Sequence, residues 1–114
     1  MPKQDRPVER TFLALSDPTR RAVVEALSMG PATVSQLAGP FEMALPSFTQ
    51  HLGVLESAGL IVSRREGRSR ICTLDVAALK DAEEWMAAYR AQWESRFDRF
   101  AAHLETSRKV DSNE

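Results

Sequence analysis

The sequence predicts a mainly α-helical domain of the α+β class, in which a small β-hairpin follows several helices. Three observations predict it. Apolar residues recur at helical spacing in several segments that Gly-Pro pairs separate. Two short runs rich in β-branched residues, at 60–62 and 71–74, lie between helical segments. A stripe of large apolar residues at spacings of three and four then fills most of the C-terminal third.

Length and composition indicate an ordinary globular protein. A chain of 114 residues, 43% hydrophobic and 27% charged, forms one domain with a modest core. No apolar run approaches the ~20 residues of a membrane span, and the N-terminus lacks the apolar segment of a secretory signal. Cys72 is the single cysteine, which excludes an internal disulfide and a multi-cysteine metal cage. We therefore expect a cytoplasmic protein without membrane association or cofactor.

The domain is expected to span residues 7–105, between a flexible N-terminus at 1–6 and a polar, disordered tail at 106–114. A short first helix begins at Pro7. A second covers 18–28, with Asp17 as its N-cap residue.

Segment 33–59 predicts two helices joined by a turn. Thr33 caps the first of these helices, and Gly39-Pro40 ends it. The second begins near Leu45 and ends at Gly59, a residue type typical of the position after a helix. Its predicted buried face consists of Phe48, Leu52 and Leu55.

Segment 60–74 predicts a hairpin whose long connecting loop carries four arginines, with Glu66 as counter-charge and Gly67 at the turn. The net charge of −1 argues against a general polyanion binder, whereas this local cluster favours targeted contact with nucleic acid. A solvated turn that happens to be arginine-rich is the alternative.

The last predicted helix, 76–104, is capped by Asp75. It would be about 43 Å long at ~1.5 Å per residue, which exceeds the core of so small a domain. Its aromatic stripe indicates a dimer interface or, alternatively, a pocket for an apolar effector. We expect Leu79, Ala82 and Met86 to pack on the monomer. The predicted dimer residues are Val8, Phe12 and Leu15 of the first helix, with Trp85, Tyr89, Trp93, Phe97 and Phe100.

A helix pair followed by a basic hairpin is the order of a winged helix-turn-helix, in which the first helix braces a second that enters the major groove. Gln50 can pair with adenine, and Thr49 can contact a base or a thymine methyl. His51 either contacts phosphate or makes a core contact. Arg68 and Arg70 are the favoured backbone contacts, while Arg64 and Arg65 can pair with nearby acids instead. The predicted DNA-binding residues are Thr33, Ser35, Ser47, Thr49, Gln50, His51, Arg64, Arg65, Arg68 and Arg70.

Three segments together resemble the ArsR family of bacterial winged-helix repressors, over about residues 8–104. They are 15–20 (LSDPTR), 48–56 (FTQHLGVLE), and 58–62 (AGLIV) followed by 65–68 (REGR). The resemblance implies a homodimer, built on the first and last helices, that binds an imperfect palindrome in double-stranded DNA and blocks transcription. In many such proteins a small-molecule effector releases the DNA; the sequence does not identify one here.

The chain departs from the metal-sensing members of that family. They carry a Cys-x-Cys pair in the helix at 33–38, where this chain has Val34, Ser35 and Gln36. Others bind metal on the last helix, where His103 is the single histidine. We therefore expect no metal site. Glu42 also replaces the glycine that such turns usually carry.

Two other functions compete with DNA binding: a winged-helix protein-interaction module, and a ligand- or metal-responsive sensor. An enzyme is disfavoured because the sequence has no glycine-rich phosphate loop and no nucleophile elbow. Cys72 is expected to be a buried, inert thiol. A redox role is the alternative, since Arg70 is on the same strand face.

Overall fold

The computed structural model describes residues 7–112, with side chains described for 8–108. The predicted flexible N-terminus, 1–6, lies outside the described residues. Internal contacts divide the chain into two units, with the boundary between Ala82 and Glu83. None of the described helices combines the length and apolar character that crossing a membrane requires.

From residue 7 onward, the first unit contains four helices, three short strands and the start of a fifth helix. In chain order the elements are α1 (Pro7–Ala14), α2 (Pro18–Leu27), β1 (Ala32–Thr33), α3 (Val34–Ala38), α4 (Leu45–Ser57), β2 (Ile61–Glu66), β3 (Ser69–Leu74) and α5 (Val76–Ser112). The predicted mainly α-helical class, with a helix pair followed by a hairpin, is confirmed.

Side-chain caps begin three of these helices, as the sequence predicts for α2, α3 and α5. Asp17 Oδ2 accepts from the Arg20 N–H at 3.1 Å. Thr33 and Gln36 form a reciprocal capping box, with bonds of 3.1 and 2.9 Å. Asp75 Oδ1 accepts from the Ala77 N–H at 3.0 Å.

The sheet has three antiparallel strands in the order β1-β3-β2. Strand β1 was not predicted, because two residues are too few to show a period-two pattern. It pairs Ala32 with Cys72 and Thr33 with Ile71. The start of α3 is therefore hydrogen-bonded to the hairpin.

The prediction that a long, arginine-rich loop connects the two strands of the hairpin is wrong. Strands β2 and β3 remain paired out to Glu66 and Ser69, so the turn consists of Gly67 and Arg68 alone. Gly67 has a φ of +63°, which matches the first turn residue of a type II′ hairpin. The prediction failed because the ends of both strands are exposed, where polar side chains replace the apolar pattern.

The core lies between the helices and the sheet. The predicted burial of the three apolar residues of α4 is confirmed. In α1 the core positions are Thr11 and Ala14, whereas Leu13 is 68% exposed. The predicted dimer residues Val8 and Phe12 of α1, and Leu15 directly after it, are half-buried. The buried cluster comprises Ala14, Val23, Leu27, Leu37, Phe48, Leu52, Leu55, Leu60, Ile61 and Cys72.

A Schellman motif joins α4 to the hairpin. Gly59 has a φ of +79°, which confirms the expected glycine end. The Leu60 N–H donates to the Leu55 carbonyl at 2.9 Å, and both side chains are fully buried. The turn before α4 is different: no non-glycine residue in 7–112 has positive φ, so Glu42 adopts an ordinary conformation.

Helix α5 continues to Ser112, so its predicted end at Leu104 and the predicted disorder from Thr106 are wrong. Residues 105–112 contain no glycine or proline, and extending an existing helix costs far less than starting one. Within the first unit, Ala82 is buried and Leu79 packs on the core, as expected. Met86 is 48% exposed, which contradicts its expected packing on the monomer.

The second unit, beyond Ala82, is the continuation of α5, and its aromatic side chains are exposed. They contact one another along the helix. Ring centroids are 5.2 Å apart for Trp85 and Tyr89, 6.3 Å for Tyr89 and Trp93, and 5.7 Å for Trp93 and Phe97. Arg96 lies over the Trp93 ring at 5.3 Å.

Candidate nucleic-acid interface

The outer face of α4 carries short polar side chains near its N-terminus. Ser47, Thr49 and Gln50 are all exposed, while Phe48 between them is fully buried. The Thr49 hydroxyl donates to the Pro46 carbonyl at 3.0 Å. Its oxygen lone pairs and its methyl group therefore remain for a partner. The spacing places the three polar residues together at one end of the helix, as predicted.

The N-terminus of α4 has no side-chain cap. Its N-cap residue is Ala44, which has no side-chain acceptor, and Pro46 in the first turn has no N–H. Helices α2, α3 and α5 are capped by their own aspartate or threonine side chains. The first-turn N–H groups of α4 and the positive end of its dipole therefore suit an external anion such as phosphate.

His51, also predicted to bind DNA, contacts the scaffold. Its Nδ1 lies 3.2 Å from Arg20 Nη1 and 3.7 Å from Asp17 Oδ2. A guanidinium only donates, so Nδ1 accepts this hydrogen bond and the proton of the neutral ring is on Nε2. The hydrogen bond from the backbone N–H of Arg20 holds the pKa of Asp17 below its usual value, although partial burial opposes this shift.

Arg20 holds three helices together, a role that was not predicted from the sequence. Its Nε donates to the Ala14 carbonyl at 2.6 Å and its Nη2 to the Leu13 carbonyl at 3.2 Å. These carbonyls end α1, so Arg20 joins α1 and α2 and, through His51, α4. An arginine shortly after a helix end can bond the last carbonyls, but no local pattern predicts a histidine 31 positions away.

The hairpin arginines lie on strands rather than in a flexible loop. Arg65 and Arg70 are directly opposite each other, a like-charge arrangement that destabilises an isolated hairpin. Arg64 donates to Glu66 at 3.1 Å, one of the acid pairings that the sequence left open. Arg68 is exposed at the turn. Because adjacent strand residues alternate, Arg64 and Arg65 are on opposite faces of the hairpin.

A cleft of about 200 Å³ separates α4 from the hairpin. Thr49 and Arg70 both line it, so the structure brings these two predicted contacts together. Cys72 lies at the same cleft, 1% exposed, and burial raises the pKa of its thiol, with the Glu56 carboxylate adding to the rise and Arg70 opposing it. The thiol is therefore protonated at neutral pH, which supports an inert role.

Two of the predicted DNA-binding residues, at the start of α3, differ in how far their side chains are free to bind DNA. Thr33 is half-buried, and its side chain accepts the capping bond. Ser35, two residues further along the chain, is exposed. On the adjacent side of α4, Gln50 lines an open, mainly apolar groove of about 540 Å³ with Leu13 and Val54. Within residues 7–112, no three histidine, cysteine, aspartate or glutamate side chains form a group that could hold a metal ion.

Comparisons with known proteins agree with this arrangement. Residues 15–64 match a family model described as a helix-turn-helix domain. The transcriptional repressor SdpR of Bacillus subtilis is 34% identical over 79 residues, which cover 69% of this chain and 88% of SdpR. A crystal structure titled as an ArsR family transcriptional regulator is 47% identical, with a TM-score of 0.75, and the match covers 78% of this chain and 98% of that one.

The chain belongs to the ArsR family of transcriptional regulators. The resemblance inferred from the three sequence segments is thereby confirmed, as is the winged helix-turn-helix fold, and the protein is a DNA-binding transcriptional regulator. A solution structure from Mycobacterium bovis, titled as a homodimeric winged helix-turn-helix DNA-binding domain and a possible ArsR-family regulator, is 25% identical with a TM-score of 0.57. That match covers 82% of this chain and 83% of the Mycobacterium bovis domain.

Proposed function

We propose that this ArsR-family regulator is a homodimeric repressor that binds an imperfect palindrome through α4 and the hairpin. The observation that carries the proposal is the N-terminus of α4, which lacks a side-chain cap and exposes short polar side chains beside it. A helix with those two properties can bond phosphate through its backbone and bases through its side chains.

The base contacts are assigned to the exposed face of α4. Gln50 offers a carboxamide that pairs bidentately with adenine, and Thr49 offers acceptor lone pairs and a methyl group. Ser47, in the first turn, is close enough to the helix N-terminus to contact base or phosphate. His51 can donate from Nε2 to a phosphate while Nδ1 remains bonded to Arg20.

The backbone contacts are assigned to the hairpin and to the start of α3. Arg68 supplies a cation at the turn. Arg65 supplies a second, and a phosphate would relieve its repulsion with Arg70 directly opposite. Arg64 can exchange its exposed pairing with Glu66 for a phosphate at small cost, because such surface ion pairs contribute ~0–1 kcal/mol. Thr33 and Ser35 complete the set through their hydroxyl groups.

Dimerisation is assigned to the exposed aromatics of α5 and the half-buried apolar residues of α1. Five exposed aromatics on one helix are more than a soluble monomer usually displays, and such residues are the usual anchors of interfaces. A palindrome also requires two copies of α4 about 34 Å apart. The similar domain from Mycobacterium bovis is described as homodimeric. The anchors are Trp85, Tyr89, Trp93, Phe97 and Phe100, with Val8, Phe12 and Leu15.

Repression follows from a dimer that occupies a promoter, and SdpR is named a repressor. The family resemblance supports release of the DNA by a small-molecule effector, which ligand screening against the DNA complex tests.

An electrophoretic shift with the DNA upstream of the protein's own gene tests the proposal. We expect the wild type to shift this fragment, and Gln50→Ala to weaken binding about tenfold, because a bidentate base contact contributes ~1–3 kcal/mol. Ser57→Ala, on the outer face two turns further along α4, is the matched control and should bind as the wild type does.

Equal affinity of Gln50→Ala and the wild type would remove Gln50 from base recognition. A wild-type protein that shifts no duplex, specific or random, would favour the protein-interaction module instead.

A further inference from the structure

Three side chains form a hydrogen-bonded chain between α4 and the hairpin. Ser63 Oγ donates to Glu56 Oε2 at 3.2 Å, and Arg70 Nη1 donates to Ser63 Oγ at 3.1 Å. The serine hydroxyl thus uses its one proton toward the carboxylate and a lone pair toward the guanidinium. These two hydrogen bonds form a link between α4 and the hairpin, in which each donor is paired with an acceptor.

The strand register explains why this link can form. Ser63 is directly opposite Cys72, so Arg70, two residues before Cys72, is its diagonal neighbour on the same face of the sheet. Diagonal neighbours are ~7–8 Å apart at Cα, which the long arginine side chain spans. On α4, Glu56 is seven residues after Thr49 and therefore nearly in line with it along the helix.

The link crosses the cleft of about 200 Å³ that separates α4 from the hairpin. Thr49, Glu56, Ser63 and Arg70 all line this cleft. Its two walls are the helix assigned to base contact and the hairpin assigned to backbone contact. The link therefore spans the distance between the two.

We propose that Arg70 is a positioning residue, which acts through Ser63 and Glu56 to hold the hairpin at a fixed distance from the base-contacting face of α4. This inference rests on the proposed function of α4. It replaces the role expected for Arg70 from the sequence, a direct contact with the DNA backbone. Arg70 would have to break its hydrogen bond to Ser63 in order to bind a phosphate. Arg65 and Arg68 make no hydrogen bond to this link, so they can bind phosphate without breaking it.

The two roles of Arg70 predict different binding data. A phosphate contact contributes equally to every DNA sequence, and its loss reduces the log–log salt slope by about 0.9. A positioning link contributes to the discrimination between operator and random DNA, because it aligns base contacts, and its loss leaves the number of neutralised phosphates unchanged.

The test is Ser63→Ala, which removes the hydroxyl and keeps every charge. Affinities for the operator and for a scrambled duplex are measured by fluorescence anisotropy between 50 and about 200 mM salt, a range over which phosphate contacts are well resolved. We expect the ratio of the two affinities to fall about fivefold, the size of one exposed hydrogen bond (~1 kcal/mol), with an unchanged salt slope. Ser63→Thr keeps a hydroxyl and should restore the ratio.

Ser69→Ala is the matched control, since Ser69 is an exposed serine on the same hairpin. It should leave both affinities unchanged. Thermal unfolding of each variant reports whether the fold is intact. An unchanged ratio in Ser63→Ala would overturn the proposal. So would an Arg70→Ala variant that lost operator and scrambled affinity equally, with a slope lower by about 0.9. A wild type that binds neither duplex would instead refute the proposed function, and the positioning role with it.

Discussion

At the scale of single residues, Arg20 joins more elements than any residue named from the sequence. Its guanidinium bonds two carbonyls at the end of α1 and the His51 ring of α4, and its N–H bonds the Asp17 cap of α2. Spacing alone predicted which residues of α4 are exposed, because helical periodicity is local. The network around Arg20 depends on a contact across 31 positions, which no local pattern contains.

Arg20→Ala should lower the free energy of unfolding by about 2 kcal/mol, because it leaves part-buried carbonyls and His51 without a charged donor. Urea unfolding followed by circular dichroism measures this. Arg21→Ala is the control: Arg21 makes one exposed bond, to the Leu15 carbonyl at 2.8 Å, and its loss should cost less than ~0.5 kcal/mol. Equal losses in the two variants would refute the special role of Arg20.

At the scale of elements, the helices were predictable because caps and stops mark them in the sequence. Asp17, Thr33 and Asp75 occupy the N-caps expected of them. The hairpin and β1 were less predictable for physical reasons. The strand ends around Arg65 and Arg70 are exposed, so burial does not select apolar residues there, and β1 exists only through its pairing with β3.

The cap of α2 gives a pH dependence. The pKa of Asp17 is lowered in the folded protein, chiefly by the Arg20 N–H, so the ionised carboxylate stabilises the fold. This contribution is present above pH ~4, the unfolded value, and is lost as the pH falls through the lowered pKa. Asp17→Asn keeps a side-chain acceptor without the charge.

We therefore expect Asp17→Asn to be less stable than the wild type at pH 7, and the difference to shrink as the pH is lowered below about 4. Denaturant unfolding at constant ionic strength, between pH 7 and pH 3, provides the comparison. A difference that stays constant over this range would show that the charge of Asp17 contributes nothing.

At the scale of the whole molecule, the chain divides its exposed chemistry between two units. The first presents polar and basic groups on α4 and the hairpin, and the second presents aromatic rings along α5. The spacing of the aromatic residues in the sequence predicted that they form a stripe along α5. The end of α5 was not predictable, because the polar composition of 105–112 also suits a disordered tail.

Trp93→Ala should weaken dimerisation about thirtyfold, the effect of removing a ~2 kcal/mol anchor. Sedimentation equilibrium over a range of protein concentrations measures the dissociation constant. Glu94→Ala removes the neighbouring exposed side chain, which is not part of the aromatic stripe, and should leave the constant within about twofold. A monomeric wild type at micromolar concentration would refute the assigned interface.

The thiol of Cys72 can report local opening of the structure around it. It is the single thiol of the chain and lies on the central strand, paired with Ala32 on one side and Ser63 on the other. Because this side chain is 1% exposed, an alkylating reagent reaches it when the structure around it opens. The rate of labelling therefore measures how often that opening occurs, and the free energy of this local event is obtained without unfolding the protein.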